Sequence, residues 1–193
     1  MSTYEVVLSL HILAAAFGFA VAGVAHSTMF RVRAADDMTQ VRKHLGLLDK
    51  VGPFFGVAAL LLIIFGAYMV QNPHPRGDDE IGWDQGWILT ALISLVLVEA
   101  VGGAVIGRRV KAIIGRLEGT ADGPVTAETK AVLADGPVWF ASHATTAVIA
   151  SIVFVMVGKP STTGAIVTVV IGAVVGLLSA VPFTKPAQVS SAA

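Results

Sequence analysis

Between residues 8 and 30 the chain reads LSLHILAAAFGFAVAGVAHSTMF, 23 positions without one Asp, Glu, Lys or Arg. About 20 helical residues cross a hydrocarbon core, so a run of this kind dictates the solvent in which the chain folds. Four more runs follow. The five cover residues 6–30, 53–70, 87–107, 137–157 and 164–182. They are continuous rather than alternating, and backbone in lipid must satisfy its own hydrogen bonds, so helices are predicted rather than barrel strands. Pro53 and Pro137 are expected at first helical positions, where the missing N–H is harmless. The expected fold class is an all-α polytopic transmembrane helical bundle of five spans, forming a single domain over residues 1–193.

Composition agrees with a lipid solvent. Charged residues make up 13% of the chain, about half the share that a soluble surface requires. A formal net charge of zero argues against nucleic acid as a partner. The absence of cysteine removes disulfides, iron–sulfur clusters, thiolate zinc sites and covalently attached haem. MSTYEV lacks the basic start of a signal peptide, so the first run is expected to remain as a span.

Lysine and arginine set the orientation. Arg31, Arg33, Arg42, Lys43, Lys50, Arg108, Arg109, Lys111, Arg116, Lys130 and Lys185 fall on one side, and only Arg76 and Lys159 on the other. The N-terminus is therefore expected outside, the C-terminus in the cytoplasm, and the protein in a bacterial inner membrane. Tyr4, Tyr68, Trp83 and Trp87 are expected at the outer boundary, and Phe30, Trp139 and Phe183 at the inner one. Residues 37–50 and 108–118 carry amphipathic periodicity, as in Val110, Ile113, Ile114 and Leu117, and are expected to lie on the cytoplasmic membrane surface. His44 and His74 fall in polar segments and read as solvated, and the PHPRGDDE loop reads as a turn.

Helices in lipid associate through small residues and interhelical hydrogen bonds. The fifth run carries small residues four apart, Gly164, Thr168, Gly172, Gly176 and Ala180, the pattern of a close helix contact. Within the chain or between subunits, Gly164, Gly172 and Gly176 are the expected contact positions. In the first run His11, Ala14, Gly18, Ala22 and His26 share one face. Glu99, Gly103 and Gly107 share another, as do His143, Ala147, Ala150 and Phe154. The intramembrane titratable groups thus lie on packing sides.

A rise of about 1.5 Å per residue places His26, Glu99 and His143 within about 10 Å in depth, near the inner leaflet, with His11 about 22 Å above His26. Ionisable groups in a span mark functional sites by default. His26 and His143 could hold a b-type haem, with His11 supporting. With Glu99 they could instead hold a divalent metal. The same trio could relay protons, with Glu99 titrating. Against these stands a plainer reading, in which each histidine only hydrogen-bonds a neighbouring helix. No nucleophile–base pair or phosphate loop is present, and the glycines near residue 102 lie within a span, where they signify packing. Catalysis is therefore not expected. The candidate roles are cofactor or metal binding, an accessory or structural subunit of a larger membrane complex, and a small proton-coupled transporter or channel.

LHILAA at residues 10–15, VGPFFGVAALLLIIFGAYM at 51–69 and SHATTA at 142–147 resemble a family of small bacterial predicted integral membrane proteins of unknown function. The LHILAA opening is also similar to the first helices of copper-resistance D-type membrane proteins and of small haem-containing protoporphyrinogen oxidases. In the latter group a histidine in this helix serves haem, and that role would map onto His11.

Overall fold

The computed structural model describes residues 1–72 and 81–187. His74, Arg76 and the acids of residues 73–80, which the sequence reads as a turn, lie outside them. Among the described residues, five helices are long and apolar enough to cross a membrane: Thr3–Ala34, Met38–Gln71, Gly86–Leu117, Ala127–Gly158 and Thr162–Phe183. The first two are α1 and α2. The third consists of α3 (Gly86–Val101), a π-helical segment (Gly102–Gly107) and α4 (Arg108–Leu117). The fourth holds the short α5 (Ala127–Leu133) and α6 (Gly136–Gly158), and the fifth is α7 (Thr162–Ala180) with a 3₁₀ turn, Val181–Phe183. Their lipid-facing surfaces remain exposed: Phe154 and Val157 are 74% and 79% accessible, so Phe154, expected on the packing face with His143, faces outward instead, one residue's turn of the helix away from buried Val155.

Local chemistry sets most of the helix starts. Ser2 and Glu5 form a reciprocal capping box at α1. Asp37, Asp135 and Ser161 each accept a backbone N–H at the start of α2, α6 and α7, replacing the helical partner that first-turn amides lack. Pro137 sits in the first turn of α6 as expected. Pro53 does not. It lies inside α2, which runs unbroken for 34 residues, about 51 Å against a hydrocarbon core of about 30 Å. Its missing N–H leaves the Asp49 carbonyl without a helical donor.

The helices form two groups. α1 pairs with α2, while α6 pairs with α7 and carries α3 against both. Gly18 lies against Ala58 across the first pair, so the small-residue face of α1 is a true contact. Ala91, Val155 and Ala165 are fully buried where α3, α6 and α7 meet. The glycine series of α7 is occupied within the chain. A β-carbon on Gly176 would come 2.6 Å from Ala144 Cα, and one on Gly172 would collide with Ser151. Gly164 meets the side chains of Pro160 and Ser161 in the preceding turn. The docking face expected there for another subunit is already covered by α6.

At the end of the bundle that carries most of the basic residues, a second core forms. Met38, Val41, Leu45, Ile113, Leu117 and Trp139 are buried together. The apolar stripes of residues 37–50 and 108–118 therefore cover each other instead of resting on lipid. An amphipathic period reports which side of a helix is apolar and leaves open what covers it. Lys130, 4% exposed, donates to the carbonyls of Ala35 at 2.6 Å and Arg33 at 3.2 Å, closing the C-terminal end of α1. Arg33 in turn donates to the carbonyls of Phe183 and Lys185, both at 2.8 Å. Arg42 pairs with Asp122, and Arg109 with Asp135 at 2.9 Å. Backbone bonds from Met38 to Gly123 and from Val125 to Asp36 pin the loop after α4.

Candidate functional site

His26 from α1 and His143 from α6 are brought together, with ring centroids 5.2 Å apart and planes inclined by 58°. Each imidazole is tied through Nδ1 to a hydroxyl on a neighbouring helix: His26 to Thr146 of α6 at 3.3 Å, His143 to Ser179 of α7 at 3.0 Å. These are the interhelical bonds that apolar surroundings favour. The Ser179 hydroxyl already donates to the Gly176 carbonyl at 2.8 Å. Its single proton is thereby used, so Nδ1 of His143 is the donor to Oγ. In the neutral ring the Nε2 lone pair is then free, and that buried atom has no hydrogen-bond partner. Phe30, Trp139 and Phe183 pack around the pair, the last two stacked at 5.1 Å. Arg33 lies over both stacked rings, 5.8 and 5.7 Å from their centroids. Phe30, Trp139 and Phe183 thus form one cluster.

Glu99 borders a cavity that His26 also borders and that His143 does not. Among the described residues, no three His, Asp or Glu side chains are gathered as a metal site. Glu99 instead lines two cavities. The one toward the basic end measures about 460 Å³ and is bordered by His26, Asp49, Arg108, Lys111 and Thr146 as well as Glu99. The other, about 640 Å³, is bordered by His11, Tyr4, Phe19, Trp83 and Trp87, and its walls are almost wholly apolar. Glu99, Phe55 and Ile149 belong to both. A charged side chain at mid-membrane costs about 3 kcal/mol by insertion scales, so a carboxyl here requires a proton, a partner or water.

The π segment begins three residues after Glu99. Gly102 and Gly103 line the 460 Å³ cavity, and a β-carbon on either would meet nothing within 4 Å. Their lack of side chains makes room instead of a helix contact, contrary to the sequence reading of these glycines. Single-turn π insertions recur at functional sites. The GG pair immediately after a lone intramembrane carboxyl was the available signal. His11 packs against Gly66 of α2, and its buried Nδ1 has no hydrogen-bond partner. The cavity roles of Asp49, Arg108 and Lys111 left no mark in the pattern of their residue types.

The family model described as "Predicted integral membrane protein (DUF2269)" matches residues 5–160. The chain belongs to this family. The match covers the first four spans, the histidine pair, Glu99 and the π segment, and the family description assigns no activity. No curated protein and no solved structure matches the chain. The likeness of its first helix to copper-resistance D-type proteins and haem-containing oxidases therefore gains no support.

Proposed function

We propose that the protein carries protons, coupled to a small solute, across a bacterial cytoplasmic membrane, with Glu99 as the titrating group. One observation carries this reading: the single carboxyl of α3 borders both the basic-end cavity and the far cavity. A group that faces both sides can load on one and unload on the other, as intramembrane acids do in proton-coupled carriers. The helix grouping supplies a means of exposing it alternately. The α1–α2 pair faces α3 and α6 across the cavities, and carriers of this kind rock one bundle against another around a midplane site. The bias of eleven of the thirteen basic residues in the sequence to one side supports a cytoplasmic location for that end. Purified protein in liposomes with an imposed pH gradient tests this with an internal pH dye. Wild type should collapse the gradient when the solute is present, Glu99→Gln should hold it, and Glu99→Asp should restore part of the rate. Wild-type vesicles no leakier than protein-free ones with any solute tried would refute the reading.

A second reading is favoured by the free lone pair on His143 Nε2 beside His26. A small metal ion bound by the pair would sit about 2 Å from each nitrogen. A haem held axially would require its flat macrocycle between rings now 5.2 Å apart, so the geometry supports an ion over haem b. Metal analysis and reduced and oxidised spectra of wild type, His26→Ala and His143→Ala test it. A stoichiometric metal lost in both variants supports the site, and metal-free, colourless wild type refutes it.

A further inference from the structure

The carried solute is the remaining question, and the linings of the two cavities differ enough to answer it. Resting on the carriage reading above, we infer that the solute is a single-chain amphipathic acid. Its anionic head would sit at Arg108 and Lys111, and its apolar chain would run past Glu99 into the far cavity.

Most basic residues that touch the fold's interior at this end are already engaged. Arg33 and Lys130 close helix termini, while Arg42 and Arg109 hold Asp122 and Asp135. Arg108 and Lys111 differ. Both line the basic-end cavity, and neither forms an ion pair among the described residues. Asp49, His26 and Glu99 share that cavity. The rim thus presents two cations against one exposed carboxylate, a surplus that suits an anion. Beyond Glu99 the lining changes to Phe19, Trp83, Trp87 and aliphatic side chains, with His11, Tyr4 and Lys159 as its polar members. A volume of about 640 Å³ falls within the usual range for ligand cavities, roughly 300–1,000 Å³. Nine residues separate Arg108 from Glu99, about 13 Å of helix, so a head at the rim leaves its chain to enter the apolar space. A small hydrophilic anion would leave the far cavity unfilled, and a neutral hydrocarbon would leave Arg108 and Lys111 unanswered.

Trp83 and Trp87 provide the readout, because they line the space assigned to the chain. Full-length protein in neutral-lipid nanodiscs is titrated with 18-bromostearate, whose terminal bromine lies at the far end of the extended chain and quenches tryptophan on contact, and with the corresponding brominated alcohol. The acid should quench saturably and at least tenfold more tightly than the alcohol. Arg108→Gln/Lys111→Gln should abolish that preference, and Gly103→Leu, which fills the basic-end cavity at an open position, should block saturable quenching. Equal quenching by acid and alcohol, an unchanged preference in the double variant, or equal competition by phosphatidylglycerol would overturn the assignment. Glu99→Gln should stop proton movement and keep the binding. Charge-dependent quenching without proton flux would retain the site and refute carriage. Flux without such quenching would retain carriage and refute this solute.

Discussion

His143 donates from Nδ1 to Ser179 while its ring lies 5.2 Å from that of His26, which is bound in turn to Thr146. The two imidazoles therefore join three helices, α1, α6 and α7, at one level. Removing either ring should cost on the order of 1 kcal/mol from the lost interhelical bond. Thermal unfolding in detergent should show His26→Ala and His143→Ala each lowering the midpoint by a few degrees. Thr146→Val should reproduce the His26 effect, and its silence would mean that the bond is not a stabilising tie.

Gly176 tolerates no side chain. A β-carbon would lie 2.6 Å from both Ala144 Cα and the His143 carbonyl oxygen, and backbone cannot yield as a flexible side-chain tip can. Gly176→Ala should separate α6 from α7 and lower the yield of folded protein sharply. Gly103→Ala, at a position with nothing in reach, should fold like wild type. Size-exclusion profiles of the two compare them directly, and equal folding would contradict the α6–α7 contact.

Ile113 and Leu117 are each 5% exposed in the basic-end core. Truncation to alanine there should cost about 2–5 kcal/mol, as for aliphatic residues in water-soluble cores. If the α4 stripe rested on lipid instead, the same changes would leave unfolding nearly unaltered. Chemical denaturation followed by Trp139 fluorescence separates the two.

Lys130 is 4% exposed and bonds two carbonyls at the end of α1. Lys130→Met keeps the apolar stem and removes the donors, leaving buried acceptors unsatisfied at about 1–3 kcal/mol. Hydrogen exchange should then accelerate in the last turn of α1 and at residues 35–37, with the far end unaffected. Uniform exchange across the chain would reject the capping role.

Much of this architecture is legible before any coordinates. Long uncharged runs mark the spans because hydrocarbon excludes unpaired backbone and charge. The lopsided distribution of lysine and arginine marks one end, and the histidines fall on small-residue faces that do pack, as Gly18 against Ala58 shows. Other readings failed for an identifiable reason. The amphipathic periods of residues 37–50 and 108–118 pointed to a membrane surface, yet a period within one segment does not say what covers its apolar side. Pro53 looked like a helix start because proline is well suited to one, but flanking residues on both sides are compatible with helix and the element ran through it.

The sequence by itself determined the solvent, the five spans and the face of each that must be hidden, because those follow from transfer energies and helical period within one segment. The tertiary structure decided which hidden faces meet. It set α7's glycines on α6, turned two amphipathic stripes toward each other, joined His26 to His143 and left Glu99 between two cavities. Those outcomes depend on contacts between distant segments, where shape and hydrogen-bond partners choose among faces of equal hydropathy.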